Sequence, residues 1–241
     1  MSIVFKPAGS VLSAQGPSGA QASAALVVSR GAGGMRVYVY VDGLNVYYRA
    51  LQSSRNKWLD LNQLAVRLLN PDDTVEKIKY FTTRVGARPN DPDAPRRQQL
   101  YLNALDTLPN IEMHFGSFLS KTKSRPLASD PTRFVTVLDT EEKGSDVNLA
   151  SHLIHDGWRD VYDLALVMSQ DSDLVEPMRM AKEDLNKMVG LIWLDGRRPN
   201  PRLKRVASFV RHASPADFVA SQFDNPLSDA NGNQITKPNT W

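Results

Sequence analysis

The chain has 241 residues, with 41% hydrophobic and 23% charged side chains, which is typical of a globular protein with room for one large domain. It contains no cysteine, which excludes a disulfide scaffold, a zinc site built from thiolates and a cysteine nucleophile. The absence of cysteine also fits a cytoplasmic protein. The formal net charge is a mild +3, and no apolar run approaches the ~20 residues that span a bilayer, so we expect no membrane partner.

The first 34 residues differ in composition from the rest of the chain. They are rich in serine, alanine and glycine and contain no acidic residue, a composition that favours disorder over a packed core. We therefore expect residues 1–34 to be a disordered N-terminal extension and the fold to begin at Met35.

From Met35 onward, strand patterns alternate with helix patterns. Residues 36–41 are a continuous run of β-branched and aromatic side chains, as expected for a parallel strand that is buried on both faces. Residues 59–70 carry apolar side chains at helical spacing and stop before Pro71. The same patterns predict, in chain order, a strand at 75–85, a helix at 94–108, strands at 111–119 and 133–139, a helix at 145–158, a strand at 162–169, a helix at 173–185 and a last strand at 187–194.

This alternation predicts the fold class. Strands separated by helices over roughly 160 residues indicate an α/β protein with a mostly parallel sheet and helices on both of its faces. We expect one domain over residues 35–212. Residues 213–241 are expected to form a C-terminal tail that packs back on the domain or trails from it.

Acidic side chains stand where predicted strands end and helices begin. In open α/β sheets, ligands collect beyond the carboxyl ends of the strands, where the strand order reverses. Asp42 ends the first strand and is followed by Gly43, although a simple helix cap would explain it equally well. Asp146 shares one helix face with Leu149 and Leu153, so its carboxylate is expected to point toward the sheet rather than into bulk water.

The third acidic site is the stretch SQDSDL, residues 169–174. Asp173 is suited to cap the following helix, with Glu176 completing a capping box, but this leaves Asp171 without a structural role. Three carboxylates on neighbouring strand ends would repel one another unless a cation joins them or one takes up a proton. An all-oxygen set favours Mg²⁺ or Mn²⁺ over a softer metal, so we expect one of these ions as cofactor.

Basic residues form three clusters along the chain. Clusters of this kind around an acidic set indicate a polyanion whose backbone they hold, although each cluster alone is more simply a solvated surface. The clusters are Arg84, Arg88, Arg96 and Arg97; Lys121, Lys123 and Arg125; and Arg197, Arg198, Arg202, Lys204 and Arg205.

Three ordered motifs resemble a known family. The stretches YVDGLNVYY, EEKGSDVNLASHLI and YDLALVMSQDSDLVEPMRMA are similar to the NYN domain, the LabA or DUF88 group of the PIN-like nuclease superfamily. The resemblance extends from about residue 35 to about residue 194. It implies a Rossmann-like parallel sheet and an enzyme that cleaves RNA with Mg²⁺ or Mn²⁺ held by aspartates.

The resemblance also implies roles for individual residues. The matched motifs make Asp42, Asp146 and Asp171 direct metal ligands, with Asp173 holding a bound water or a second ion and Asn45 orienting the ligands. Lys143 would neutralise phosphate charge, although a surface lysine is the simpler interpretation. Tyr47 and Tyr48 would stack on bases of a single-stranded RNA, although aromatics at the start of a helix more often pack in a core.

Other functions remain open at the level of sequence. A bacterial subgroup of the same family resembles a 6-hydroxy-3-succinoylpyridine monooxygenase of nicotine degradation, an NADH-dependent activity for which the chain carries no dinucleotide fingerprint. A non-catalytic RNA-binding module would keep the fold and dispense with the acids. The DxD pair is also found in nucleotide-sugar glycosyltransferases, and the sequence leaves a homo-oligomer open.

Overall fold

A computed structural model of the protein describes residues 34–241. The predicted extension at 1–34 lies outside the described residues, apart from Gly34. The strands are β1 Arg36–Asp42, β2 Thr74–Thr82, β3 Ile111–Phe115, β4 Ser117–Leu127, β5 Asp130–Lys143, β6 Leu164–Met168, β7 Met188–Trp193, β8 Phe209–His212, β9 Leu227–Ser228 and β10 Gln234–Ile235. The α-helices are α1 Gly43–Val46, α2 Leu61–Leu68, α3 Ala94–Leu105, α4 Ser145–Trp158, α5 Val175–Arg179, α6 Pro201–Val206 and α7 Pro215–Ala220.

Six strands form one parallel sheet in the order β3-β2-β1-β6-β7-β8. The chain builds outward from β1 to β2 and β3, and then returns to the other side of β1 for β6, β7 and β8. The strand order therefore reverses between β1 and β6, which makes their carboxyl ends the topological switch point of the sheet. The predicted α/β fold with a mostly parallel, Rossmann-like sheet is confirmed.

Helices cover both faces of this sheet. Along β1, Val37, Val39 and Val41 belong to a core shared with α2 and α3, whereas Tyr40 belongs to a core shared with α4, α5 and α6. The side chains alternate between the two faces because successive residues of a strand point in opposite directions. The continuous apolar pattern of β1 is thus explained by burial on both sides.

The strands predicted at 111–119 and 133–139 are present, but they do not both belong to the main sheet. Residues 111–115 form β3 of that sheet, whereas 117–119 and 133–139 lie in β4 and β5, which pair with each other as an antiparallel ribbon. The strand at 187–194 was expected to be the last. A further strand, β8, pairs in parallel with β7 and ends the sheet.

Several elements follow β8 in the tail region. Phe218 and Phe223 are buried in the same core as α2, and the indole of Trp58 donates a hydrogen bond to the carbonyl of Asp224 at 3.1 Å. The backbone N–H of Asp60 likewise donates to the carbonyl of Ser221. Between residues 34 and 241, no helix is long and apolar enough to cross a bilayer.

Candidate active site at the switch point

Asp42 lies at the end of β1 and combines two functions. Its Oδ1 accepts a hydrogen bond from the backbone N–H of Asn45 at 2.9 Å, which caps α1 as predicted. Its Oδ2 accepts from the hydroxyl of Ser169 at 2.9 Å, directly after β6. The side chain is buried, and this burial raises its pKa, while the two hydrogen bonds oppose the rise.

The loop after β6 is held against the start of α1 by its polar groups. The amide oxygen of Asn45 accepts from the backbone N–H of Gln170 at 3.0 Å, and the hydroxyl of Ser169 accepts from the N–H of Asp171 at 3.1 Å. The ends of β1 and β6 are thereby fixed to each other across the switch point. Asn45 was expected to orient the predicted metal ligands. In the structure it orients the loop that carries one of these predicted ligands, Asp171.

Asp171 caps the turn that follows it. Its Oδ1 accepts from the backbone N–H of Asp173 at 2.9 Å, at the start of a short 3₁₀ turn, Ser172–Leu174. The prediction that Asp173 is the cap, with Glu176 in a capping box, was wrong by two residues. Because an Asp cap uses one oxygen, the second oxygen of Asp171 remains available to the pocket beside it.

The helix that carries Asp146 has no side-chain cap at its own N-cap position. The N-cap position is Gly144, whose φ of 99° lies in the left-handed region that favours glycine, and Ser145 is the first helical residue. The side chain of Glu142 performs the capping, since its Oε1 accepts from the N–H of Ser145 at 3.1 Å and from the hydroxyl of Thr83 at 2.7 Å. Glu142 was not identified from the sequence.

The four acids Asp42, Glu142, Asp146 and Asp171 line one open pocket of about 480 Å³, which we call the acidic pocket. Asn45, Tyr48 and Arg49 share this pocket, whereas Asp173 does not line it. Asp146 is half-buried above the buried Leu149 and Leu153, in agreement with its predicted helix face.

The pKa of Asp146 reports the environment of the acidic pocket. Burial, followed by the nearby charges of Asp42, Asp171, Glu142 and Asp173, raises the pKa of Asp146 to about 6. Acids from three distant chain segments therefore line one pocket, as the sequence predicted, and their charges add to the effect of burial on Asp146. No three of the described acids in this pocket have ligand oxygens that all lie within 4.8 Å of one another, so they do not form a ready-made three-carboxylate metal site.

A second polar cluster lies between β2, β3 and α4. Glu112, His114 and His152 bring potential ligand atoms within 4.8 Å of one another, a spacing compatible with a metal ion. The ammonium of Lys79, however, lies 3.1 Å from Nδ1 of His152 and 2.7 Å from Oδ2 of Asp156. A buried lysine thus already supplies the positive charge, and we interpret the cluster as a structural ion-pair network.

The predicted nucleic-acid contacts are placed in three different environments. On the β4–β5 ribbon, Lys123 pairs with Asp139 and Glu141 across the strands, and Lys143 pairs with Glu141 at 2.8 Å. Lys121 is exposed on the same ribbon. Within residues 34–241, no ion pair joins the ribbon's cations to Asp42, Asp146 or Asp171, although Glu142 of the ribbon itself lines the acidic pocket.

The arginines before and within α3 lie nearer to the switch point. Arg97 pairs with Asp91, and Arg88 lines a second pocket beside the acids. The guanidinium of Arg84 stacks on Phe115, 4.6 Å from the ring centroid. Arg96 is exposed on α3, next to Arg97 in the sequence. Arg197 and Arg198 of the third cluster are exposed before α6.

Tyr47 and Tyr48 are not core residues, contrary to the simpler expectation. They stand in a π-helical turn, Tyr47–Leu51, with exposures of 37% and 50% and ring centroids 5.3 Å apart. Such turns are rare and occur often at functional sites. Both rings line the second pocket, and Tyr48 also lines the acidic pocket.

Two known proteins are similar to this chain. No family model matches the chain. A curated relative, the 6-hydroxy-3-succinoylpyridine 3-monooxygenase HspA of Pseudomonas putida, is 27% identical over 239 residues, which cover 86% of this chain and 75% of that protein. A crystal structure of VPA0982, a protein of unknown function from Vibrio parahaemolyticus, is similar with a TM-score of 0.51 and 17% identity, covering 78% of this chain and 98% of that chain. The latter likeness concerns the fold alone.

Proposed function

We propose that the chain is a metal-dependent nuclease that cleaves phosphodiester bonds of RNA at the acidic pocket, as a member of the NYN group of PIN-like nucleases. The observation that carries the proposal is that four carboxylates line one pocket at the switch point, where burial, and then the charges of the neighbouring acids, raises the pKa of Asp146 to about 6. A bound cation would stabilise the ionised form of acids that are gathered in one half-buried pocket.

The donor set of the pocket fits a hard divalent ion. Asp42, Asp146 and Asp171 would hold Mg²⁺ or Mn²⁺, with Glu142 as a further oxygen donor, because carboxylate oxygens are the ligands that these ions prefer. The ion, when bound, would activate water and stabilise the charge that develops on the phosphate. Asp173, which lies outside the pocket lining, would contribute through its negative charge.

The chain's own residues would orient these ligands. Ser169 and the N–H of Asn45 donate to the two oxygens of Asp42 and fix the direction of its carboxylate. Near neutral pH in the absence of a cation, Asp146 keeps its proton in part of the molecules, so the binding of a cation and the loss of this proton are linked. Arg49, which lines the same pocket, is placed to attract a phosphate.

The test is cleavage of labelled single-stranded RNA and DNA with Mg²⁺, Mn²⁺ or EDTA. We expect RNA cleavage that depends on the metal and is lost in Asp171→Asn. The control variant Asp72→Asn removes one exposed carboxylate at the opposite edge of the sheet and should leave cleavage unchanged. Cleavage that persists in EDTA or in Asp171→Asn would refute the proposal.

A second candidate function is favoured by one observation, the similarity to the monooxygenase HspA. Under this alternative the chain would hydroxylate a pyridine with O₂ and NADH, and the acidic pocket would serve another purpose. NADH oxidation that depends on 6-hydroxy-3-succinoylpyridine would establish it. Absence of this oxidation, together with metal-dependent RNA cleavage, would decide for the nuclease.

A further inference from the structure

A second pocket adjoins the acidic one and has no role in the proposed metal chemistry. It has a volume of about 280 Å³ and shares Leu44 and Tyr48 with the acidic pocket. Five aromatic side chains line it, and we call it the aromatic pocket: Tyr47, Tyr48, Tyr80, Tyr101 and Trp241. A cavity of this size lies near the lower end of the range for small-molecule sites, about 300–1,000 Å³.

The walls of the aromatic pocket are preformed by packing. Tyr101 is buried, donates its hydroxyl hydrogen to the carbonyl of Leu59 at 2.9 Å, and contacts Tyr80 and Trp241 edge-on. Tyr47 and Tyr48, which also line the pocket, are partly exposed and contact each other edge-on. A pocket that combines buried, fixed rings with accessible rings is suited to hold a planar group by stacking.

The polar part of the aromatic pocket carries an excess of positive charge. Lys57, Arg88 and Arg97 line it, against a single acid, Asp91, which pairs with Arg97. Lys57 has no carboxylate partner among the described residues and donates instead to the carbonyl of Ser54. Burial lowers the pKa of Lys57, and the nearby charges of Lys237 and Arg97 lower it further.

We propose that the aromatic pocket binds a planar heteroaromatic ring that carries an anionic group, with the ring against Tyr47 and the anion at Lys57 and Arg88. Under the proposed nuclease function, on which this assignment rests, the ligand is the base and phosphate of the nucleotide next to the cleaved bond. The shared residue Tyr48 places the two pockets side by side. The same chemistry would also accept a free heteroaromatic acid, and the experiment distinguishes these two sources.

The experiment is calorimetric titration of the full chain in EDTA with uridine monophosphate, adenosine monophosphate and nicotinate, and with adenosine and inorganic phosphate as half-ligands. We expect one of the three complete ligands to bind at least tenfold more tightly than either half-ligand. Preference for a nucleotide identifies the nucleic acid as the source, whereas preference for nicotinate identifies a free heteroaromatic acid.

Variants test the position of the ligand. Tyr47→Ala should weaken binding about tenfold, Tyr47→Phe should retain it, and Arg88→Gln should weaken only the anionic ligands, because adenosine lacks the charge. Arg159→Gln, which removes an exposed arginine outside the pocket lining, is the matched control and should bind as the parent protein does. Equal affinities in Tyr47→Ala and the parent, or no binding of any complete ligand, would overturn the assignment.

The two proposals fail in different ways. Binding in EDTA does not require the acidic pocket, so Asp171→Asn should bind the ligand as the parent does even though it cannot cleave RNA. Metal-dependent RNA cleavage without ligand binding in EDTA would overturn the aromatic-pocket assignment alone. Ligand binding without cleavage would overturn the nuclease and leave the pocket.

Discussion

At the scale of the residue, the site is governed by the cost of placing like charges together. The hydrogen bonds from Ser169 and Asn45 stabilise ionised Asp42, but Asp146 is half-buried among acids and is described with no compensating hydrogen bond. A group whose pKa is raised on folding binds its proton more tightly in the folded state than in the unfolded state. Folding stability must therefore decrease as the pH rises through the interval between the two pKa values.

This argument gives a prediction for Asp146→Asn in EDTA. The ordinary pKa of the group is 3.8 and its folded pKa is about 6, so the parent protein should lose stability relative to the variant between pH 4 and pH 6. We expect a relative change of about 1 kcal/mol, since solvent screening at a half-exposed site reduces the full effect. Urea unfolding at several pH values measures it. The same difference at pH 4 and pH 7 would show that folding does not raise the pKa of Asp146.

Single residues also mark the limit of prediction from sequence. Asp42, Asp146 and Asp171 were identified because motifs and helix phase place them at strand ends. Glu142 was missed because it precedes a glycine in the left-handed conformation, which turns the chain so that a residue three positions before Ser145 caps the helix. No periodic pattern reports such a turn.

At the scale of the element, α4 is attached to the sheet by a buried polar network as well as by leucines. The ammonium of Lys79 on β2 contacts Asp156 at 2.7 Å, and the hydroxyl of Tyr40 on β1 donates to the same carboxylate at 2.8 Å. Lys79 and Asp156 are both buried. Since α4 also carries Asp146 at its first turn, the network fixes the helix that brings this acid to the switch point.

Breaking this network should destabilise the fold. Lys79→Met leaves the carboxylate of Asp156 buried without its cation, and we expect a loss of about 3–5 kcal/mol in the free energy of unfolding. The double variant Lys79→Met/Asp156→Leu removes both charges and should recover part of the loss. Thermal unfolding of the two variants checks this, and a single variant as stable as the parent would contradict the account.

Elements with strong periodicity were predictable, and short or isolated ones were not. The helix at 145–158 was predicted with the bounds that the structure gives it, because a buried apolar stripe extends along its length. The strand β8 has four residues, too few to establish an alternation. The ribbon of β4 and β5 contains apolar side chains as a core strand does, but Phe134 and Leu138 are 64% and 75% exposed. Its pairing depends on neighbours that a local pattern does not reveal.

At the scale of the whole molecule, topology assembles the site. Asp42 and Asp171 are separated by 129 positions in the sequence. Asp42 nevertheless ends β1, and Asp171 follows β6, the strand next to β1 in the sheet. Most of the β4–β5 ribbon lies outside this arrangement, because its strands pair only with each other, and only its end carries a residue of the acidic pocket, Glu142. Lys123 and Arg125 form ion pairs with the ribbon's own acids.

The part of the ribbon between Ser120 and Thr140 should therefore be dispensable for folding and for RNA affinity. A variant in which residues 121–139 are replaced by Asn-Gly keeps the pair of Ser120 and Thr140 and all residues of the acidic pocket. We expect its melting temperature and its affinity for single-stranded RNA in EDTA to match those of the parent. A large loss of affinity for RNA would contradict this expectation and would support the predicted contacts of Lys121, Lys123 and Arg125 with the nucleic acid.

The most direct test of the account is calorimetric titration of the metal-free protein with Mn²⁺. The parent protein and Asp72→Asn should take up one or two ions, while Asp42→Asn and Asp171→Asn should bind at least tenfold more weakly. No uptake by the parent, or equal affinity in all four proteins, would contradict the claim that the acids at the switch point hold a divalent cation.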